Sequence, residues 1–286
     1  MSNIKVIETT GEKPGKVVVI LAGVHGNEVC GVKAFNNLIP KLKIKNGKIF
    51  FIYANLEAIK QNKRLIECNL NRCFLKKQTS EIEKSIEGKT AKEIMPYLDR
   101  AEAMLDIHAS NIQDSKPFII CDLKQLSKGE IFEAEIVSYN WDVFEPGSSD
   151  YYMNLQSKPG FCFECGYFND EKTQEIAEKA IKNFLVYSGN VSGKIRYKKD
   201  QKILKIKSLY KNKQSSFKRA RYFPDFEKFK QKTLLGKEGN KKIYANKGDI
   251  VLFIKDKEKL NEECFLLAKE TLLNKKQLNK SEREEK

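Results

Sequence analysis

Apolar residues fall in short unbroken runs through the first part of this chain, with striped segments between them. Residues 16–24, centred on Val17-Val18-Val19-Ile20-Leu21, and residues 48–54, Lys48-Ile49-Phe50-Phe51-Ile52-Tyr53-Ala54, are short and rich in β-branched or aromatic side chains. That is the pattern of strands buried on both faces. Between them Val29, Val32, Phe35 and Leu38 recur at helical spacing and predict a helix over 28–38. Strand, helix and strand at this spacing predict a parallel α/β sheet, with functional loops at the carboxyl ends of its strands.

Further along, 55–74 is long for a connection and predicts an ordered loop that carries function. Ile82, Ile86, Ile94 and Leu98 give 79–99 a helical stripe, with Gly88 as a candidate break. Met104–His108 and Phe118–Cys121 read as strands, whereas 131–143 fits helix and strand alike. Phe161-Cys162-Phe163 is a strand ending in Glu164-Cys165-Gly166, and Asn169 or Asp170 then caps a helix over 171–187 that Gly189 closes. From Val191 the texture changes to short alternating segments such as 202–207 and 249–254. The expected organisation is an α/β domain over 1–190, a smaller β-rich lobe over 191–273 and a disordered tail over 274–286.

Composition narrows the class. Of 286 residues 41% are hydrophobic, and no run reaches the roughly 18 apolar residues that span a bilayer. The opening residues lack the apolar core of a signal peptide, so a cytoplasmic location and no membrane partner are expected. Seven scattered cysteines fit free thiols better than a disulfide framework. Cys162 and Cys165 have CxxC spacing, but the segment reads as strand and no second pair exists, which argues against a metal or redox role. Residues 191–286 hold 28 Lys and Arg against 13 Asp and Glu, while the first 190 balance at 25 of each. Such a lobe can steer anionic substrates or attract nucleic acid without sequence preference. No nucleic-acid motif is present, and a solvated lysine surface is the plainer reading.

The candidate chemistry begins at Gly23-Val24-His25-Gly26-Asn27-Glu28. The chain has two histidines, and one lies three residues before a glutamate at the mouth of a predicted strand. Gly23 and Gly26 allow the strand to break between His25 and Glu28 so that both turn to one ion. Imidazole plus carboxylate suits zinc, a catalytic zinc takes a third protein ligand, and His108 is the histidine left to supply it. Asp106, two residues from His108, points the same way on a strand. It either accepts the second ring N–H of His108 or is a buried structural aspartate. Seven of the 53 basic residues are arginine, and Arg64 and Arg72 stand out among them. Guanidinium groups suit carboxylates and can polarise a carbonyl.

Gly-x-His-Gly-Asn-Glu at 23–28, Asn-Leu-Asn-Arg at 69–72, Asp-Ile-His at 106–108 and Glu-x-Gly at 164–166 together resemble the succinylglutamate desuccinylase/aspartoacylase family of zinc carboxypeptidase-like hydrolases. The resemblance implies a mixed sheet flanked by helices and one zinc per chain. It makes Glu164 the general base, Arg64 the group that polarises the scissile carbonyl, and Asn71 with Arg72 the grip on a substrate carboxylate. The implied partner is a small anionic N-acyl amino acid; a homo-oligomer stays open. The sequence departs from the aspartoacylases at 148–158, which has no arginine and only Lys158 as a cation. That puts N-acetylaspartate itself in doubt. Two rival functions remain: a metallocarboxypeptidase acting on a small peptide, and a nucleic-acid-binding protein with a vestigial metal site.

Overall fold

The computed structural model describes residues 2–273, so the tail expected over 274–286 lies outside the described residues. The chain opens with β1 (Lys5–Thr10), β2 (Lys13–Ala22), α1 (Cys30–Leu38) and β3 (Asn46–Tyr53), followed by the short helices α2 (Leu56–Lys60) and α3 (Ser80–Lys84). Next come α4 (Ile86–Arg100), β4 (Ala103–Ser110), β5 (Phe118–Cys121), β6 (Ile136–Tyr139), α5 (Ser149–Asn154), β7 (Gly160–Tyr167) and α6 (Thr173–Tyr187). The remainder is strands: β8 (Lys202–Lys211), β9 (Phe217–Arg219), β10 (Glu227–Lys228), β11 (Thr233–Glu238), β12 (Lys241–Ala245), β13 (Ile250–Leu252) and β14 (Glu263–Glu270).

Eleven strands form one mixed sheet in the order β1-β3-β2-β4-β7-β5-β6-β8-β14-β13-β10, and β12-β11-β9 form a second. The centre is parallel: β3 and β4 flank β2, and β7 pairs with β4, each in parallel register. Loops after β2 and β4 and the last residues of β7 therefore emerge on one edge, where open sheets gather functional groups. The large mixed sheet, its helices and the β-rich last third agree with the expected architecture. The proposed division near residue 190 is a change of texture that the sheet itself crosses, because β6 pairs in parallel with β8.

Alternation on the strands feeds two cores. Val18, Ile20, Leu105, Ile107, Phe161 and Phe163 face α1 and α6, whereas Val19, Leu21, Phe50, Ile52 and Met104 face α4. Phe35, Phe161 and Phe184 are fully buried on the first side. Truncating any of them to alanine costs about 3–5 kcal/mol by lost burial and cavity formation. The same alternation separates Cys162 from Cys165, which enter different cores and cannot converge on one ion. All seven cysteines are free thiols.

Several local expectations change. The segment 55–74 is not all loop: Asn55 accepts a hydrogen bond from the Ala58 N–H and starts α2, and Leu70–Arg72 make a 3-10 turn. The helical stretch 79–99 breaks at Ser85, not Gly88. Ser85 is extended (ψ 159°), and its Oγ caps α4 by accepting from the Gly88 N–H. The undecided stretch 131–143 contains the strand β6, whose four residues are too few to display a period. Ahead of α6, Asp170 rather than Asn169 organises the turn, accepting from the Lys172 N–H at 2.9 Å and the Thr173 hydroxyl at 2.6 Å.

Candidate active site

Two glycines shape the loop after β2. Gly23 takes φ +72°, and a side chain on Gly26 would strike the backbone of Ala58 at 2.1 Å. The chain therefore turns sharply against α2, and the Glu28 N–H closes the turn on His25 O at 3.1 Å. His25 and Glu28 thus face back over the sheet edge, where His108 arrives from β4. Glu28 lies 2.8 Å from His25 Nδ1 through Oε1 and 2.9 Å from His108 Nδ1 through Oε2. Ligand atoms from the three residues all fall within 4.8 Å of one another, and all three residues are buried.

Each imidazole is held from behind. Asn69 Oδ1 is 2.9 Å from His25 Nε2, and Asp106 Oδ2 is 3.1 Å from His108 Nε2. The acceptor behind His25 Nε2 favours the tautomer with its proton there and turns the Nδ1 lone pair toward Glu28, whereas His108 is hydrogen-bonded to Glu28 Oε2 through Nδ1 at 2.9 Å and makes no hydrogen bond through Nε2. His25 Nδ1 has no hydrogen bond although Glu28 Oε1 is so near, the arrangement of two donors aimed at a shared point rather than at each other. Two imidazoles and a carboxylate, buried and converging, fit a zinc ion. Burial, with Arg64 adding to it, lowers the His25 pKa to about 4 and keeps the ring neutral, as a metal ligand must be. Burial works to raise the Glu28 pKa, but the two imidazoles hold it well below the ordinary value. Burial works to lower that of His108, but Asp106 and Cys162 raise it well above the ordinary value, so without a cation this ring holds a proton that a metal ion would have to displace. Asp106 is fully buried and also accepts from the Ser149 hydroxyl at 2.5 Å, so it is fixed in place beneath His108.

Glu164 stands beside His108 in the β4–β7 register, within β7 rather than beyond its end. Its Oε2 is buried without a partner, and burial together with the Glu28 charge pushes its pKa up to about 8. Arg64 donates from Nη1 to Glu28 Oε1 at 2.8 Å. Asn71 Oδ1 is buried and unbonded, and its backbone N–H donates to Asn69 Oδ1 at 3.0 Å. Arg72 is already engaged: Nη2 bonds Glu145 and lies 3.5 Å from Glu263, while Nη1 donates to Asn71 O at 2.7 Å. Its Nε is buried without a partner.

His25, Glu28, Arg64, Asn69, Asn71, Arg72, His108 and Glu164 line one cavity of about 270 Å³, and Asp106 lies outside its lining. Its far wall comes from parts of the chain that carried no recognisable signal: Glu145, Trp141, Phe253, Lys255, Lys257 and Glu263. They share no motif, and only the sheet's passage into β8, β14 and β13 carries the last four to the site. Lys158, the lone cation of its stretch, is turned elsewhere and donates to Asp99 O at 2.7 Å.

A family model described as the succinylglutamate desuccinylase/aspartoacylase catalytic domain matches residues 14–188. A succinylglutamate desuccinylase from Pseudoalteromonas atlantica is 35% identical over 89 residues, 29% of this chain and 25% of that protein. A probable aspartoacylase from a Nostoc species is 27% identical over 166 residues, 52% of this chain and 54% of that protein. The chain thus matches a quarter to about half of the length of these relatives. The structure of a succinylglutamate desuccinylase from Vibrio cholerae superposes with a TM-score of 0.75 at 18% identity, covering 93% of this chain and 85% of that one. At that identity the likeness is one of fold. A sequence match over well over half of the chain, on a fold shared nearly end to end, means that the chain belongs to the succinylglutamate desuccinylase/aspartoacylase family.

Proposed function

We propose that this protein is a zinc-dependent hydrolase that cleaves the amide bond of an N-acyl amino acid. The observation that carries this reading is the meeting, in one small cavity, of the His25–Glu28–His108 cluster with the partnerless carboxylate oxygen of Glu164. His25, Glu28 and His108 are the residues that would hold the ion. When bound, zinc acts as a Lewis acid that makes water nucleophilic near neutral pH.

The chain's own groups do the remainder. Glu164 takes a proton from the attacking water and returns it to the departing nitrogen as the C–O bond forms and the C–N bond breaks. The products are a carboxylic acid and a free amine. Its raised pKa suits both directions of that transfer near neutrality. Arg64 has guanidinium N–H groups beyond the one on Glu28, and these stabilise charge growing on the carbonyl oxygen. Asn71 and Arg72 hold the substrate's carboxylate, with Arg72 Nε as the donor not already committed. The cavity's volume suits an acyl amino acid better than a longer peptide. Free cysteines agree with the cytoplasmic location we propose.

The test is elemental analysis of the purified protein, followed by a panel of N-acyl amino acids and dipeptides. Turnover of an acyl amino acid that a chelator abolishes and zinc restores is the expected result. Preference for dipeptides would transfer the reading to a carboxypeptidase, and turnover untouched by chelation would remove the metal from it.

A further inference from the structure

Two thiols meet across the turn that carries Asn69, Asn71 and Arg72. Cys68 and Cys73 bracket it, and their sulfurs lie 3.6 Å apart. Of the seven cysteines, Cys68 alone is not buried; the other six, Cys73 included, are. A reagent in solution therefore reaches Cys68 first and finds a second sulfur directly behind it. Burial, with Cys68 adding to it, raises the pKa of the Cys73 thiol above its ordinary value, so this sulfur keeps its proton until a partner is at hand.

Each thiol also holds a neighbour. The Cys73 thiol donates to Asn69 O at 3.2 Å, and Cys68 Sγ lies 3.2 Å from the Ser85 hydroxyl that caps α4. The flanking backbone is fixed: the Cys68 N–H donates to Glu87 Oε2 at 3.2 Å, and Cys73 O accepts from Gln78 Nε2 at 2.7 Å. A disulfide has its sulfurs about 2.05 Å apart, so bonding draws these two together by roughly 1.5 Å. With both ends held, the four residues between them absorb the movement. The Asn69 carbonyl loses its thiol donor in the same step, and Asn69 Oδ1 is the acceptor behind His25 Nε2 at 2.9 Å.

We propose that Cys68 and Cys73 are a reversible redox switch, which a low-molecular-weight disulfide closes into a Cys68–Cys73 bond that displaces Asn69 and weakens the metal site. Cys68 gives its proton to solvent and attacks one sulfur of the small disulfide. A mixed disulfide forms, and one small thiolate leaves and takes a proton from solvent. Cys73 then attacks the Cys68 sulfur, the mixed disulfide breaks, and the second thiolate takes up the proton that Cys73 gives up. Two protein thiols are oxidised and one small disulfide is reduced to two thiols, which reverse the exchange when they are in excess. The effect on the site rests on the zinc-hydrolase reading above; the bond itself does not.

Full-length wild type and Cys68→Ser are to be treated with oxidised glutathione, which is then removed. Trypsin cuts after Arg72, between the two cysteines, so the bond appears without reductant as peptide 65–72 joined to peptide 73–76. In the oxidised wild type, zinc affinity measured by competition with a chromogenic chelator should fall by about 10–100-fold, the scale of a lost support behind a ligand. Reduced glutathione should restore it. Cys68→Ser keeps a hydroxyl beside Ser85, should bind zinc as the reduced wild type does, and should show neither change. Cys73→Ala replaces that variant if it fails to fold. A bond between other cysteines, or a glutathione adduct that stays on Cys68, rejects the switch. A Cys68–Cys73 bond with unaltered zinc affinity rejects its control of the site. If the wild type binds no zinc, the hydrolase reading fails and the switch is judged by amide hydrogen exchange. Altered exchange over 69–73 on oxidation then supports it, and unaltered exchange rejects it.

Discussion

At the scale of single residues, the proposed mechanism separates holding an ion from moving a proton. Glu164→Gln is nearly isosteric and leaves His25, Glu28 and His108 intact, so the zinc content should stay at one per chain. The amide cannot accept a proton, and kcat should fall by about 10²–10⁴-fold. Near-normal kcat in a zinc-replete variant would exclude Glu164 from the reaction. Asn69 is a subtler case, because its side-chain oxygen serves both His25 Nε2 and the Asn71 N–H. Asn69→Ala should weaken zinc binding by about 10–100-fold, as loss of a partner behind a ligand does. Competition with a chromogenic chelator measures this directly, and unaltered affinity would mean that His25 needs no such support. The two arginines should differ in kinetics. In the roles proposed above, Arg64→Ala would remove help given to developing charge and should mainly lower kcat, whereas Arg72→Ala would remove ground-state binding and should mainly raise KM.

Among the elements, one carboxylate ties the second sheet to the end of β8 and the loop that follows it. Glu238, at the end of β11, accepts from the backbone N–H groups of Lys213 at 2.7 Å and Gln214 at 2.5 Å, and from the Tyr210 hydroxyl. The Tyr210 bond, helped by those N–H groups, lowers its pKa from 4.5 to about 2. A folded pKa below the unfolded one stabilises the protein above pH 4.5 and loses that contribution as pH falls toward 2. Glu238→Gln should therefore be less stable than wild type at neutral pH, with the gap narrowing between pH 4.5 and 2. Urea denaturation across that range tests it, and a gap independent of pH would assign the loss to packing.

For the whole molecule, the uneven charge predicts a rate effect. The excess of 28 basic over 13 acidic residues lies in 191–286, and part of that region walls the cavity. The kcat/KM of an anionic acyl amino acid should fall as salt rises, because screening shortens the reach of the lysines. An uncharged analogue should respond much less. Equal responses would make the lysines a solvated surface with no part in encounter.

The sequence by itself determined the centre of this protein. Short apolar runs were enough to predict β2, β3, β4 and β7, since strands buried on both faces can hold little else. Motif spacing singled out His25, Glu28, His108 and Glu164, because a glycine-broken turn and two adjacent strand ends are local constructions. Local pattern failed where partners lie far along the chain. Nothing near Lys255 marks it as lining a cavity with a histidine 147 positions earlier, and nothing near Arg72 announces Glu145 and Glu263. Those meetings follow from strand order: β6 pairs with β8, β8 with β14 and β14 with β13. Strand order depends on the summed burial and pairing of the whole sheet, and no window of sequence contains that sum.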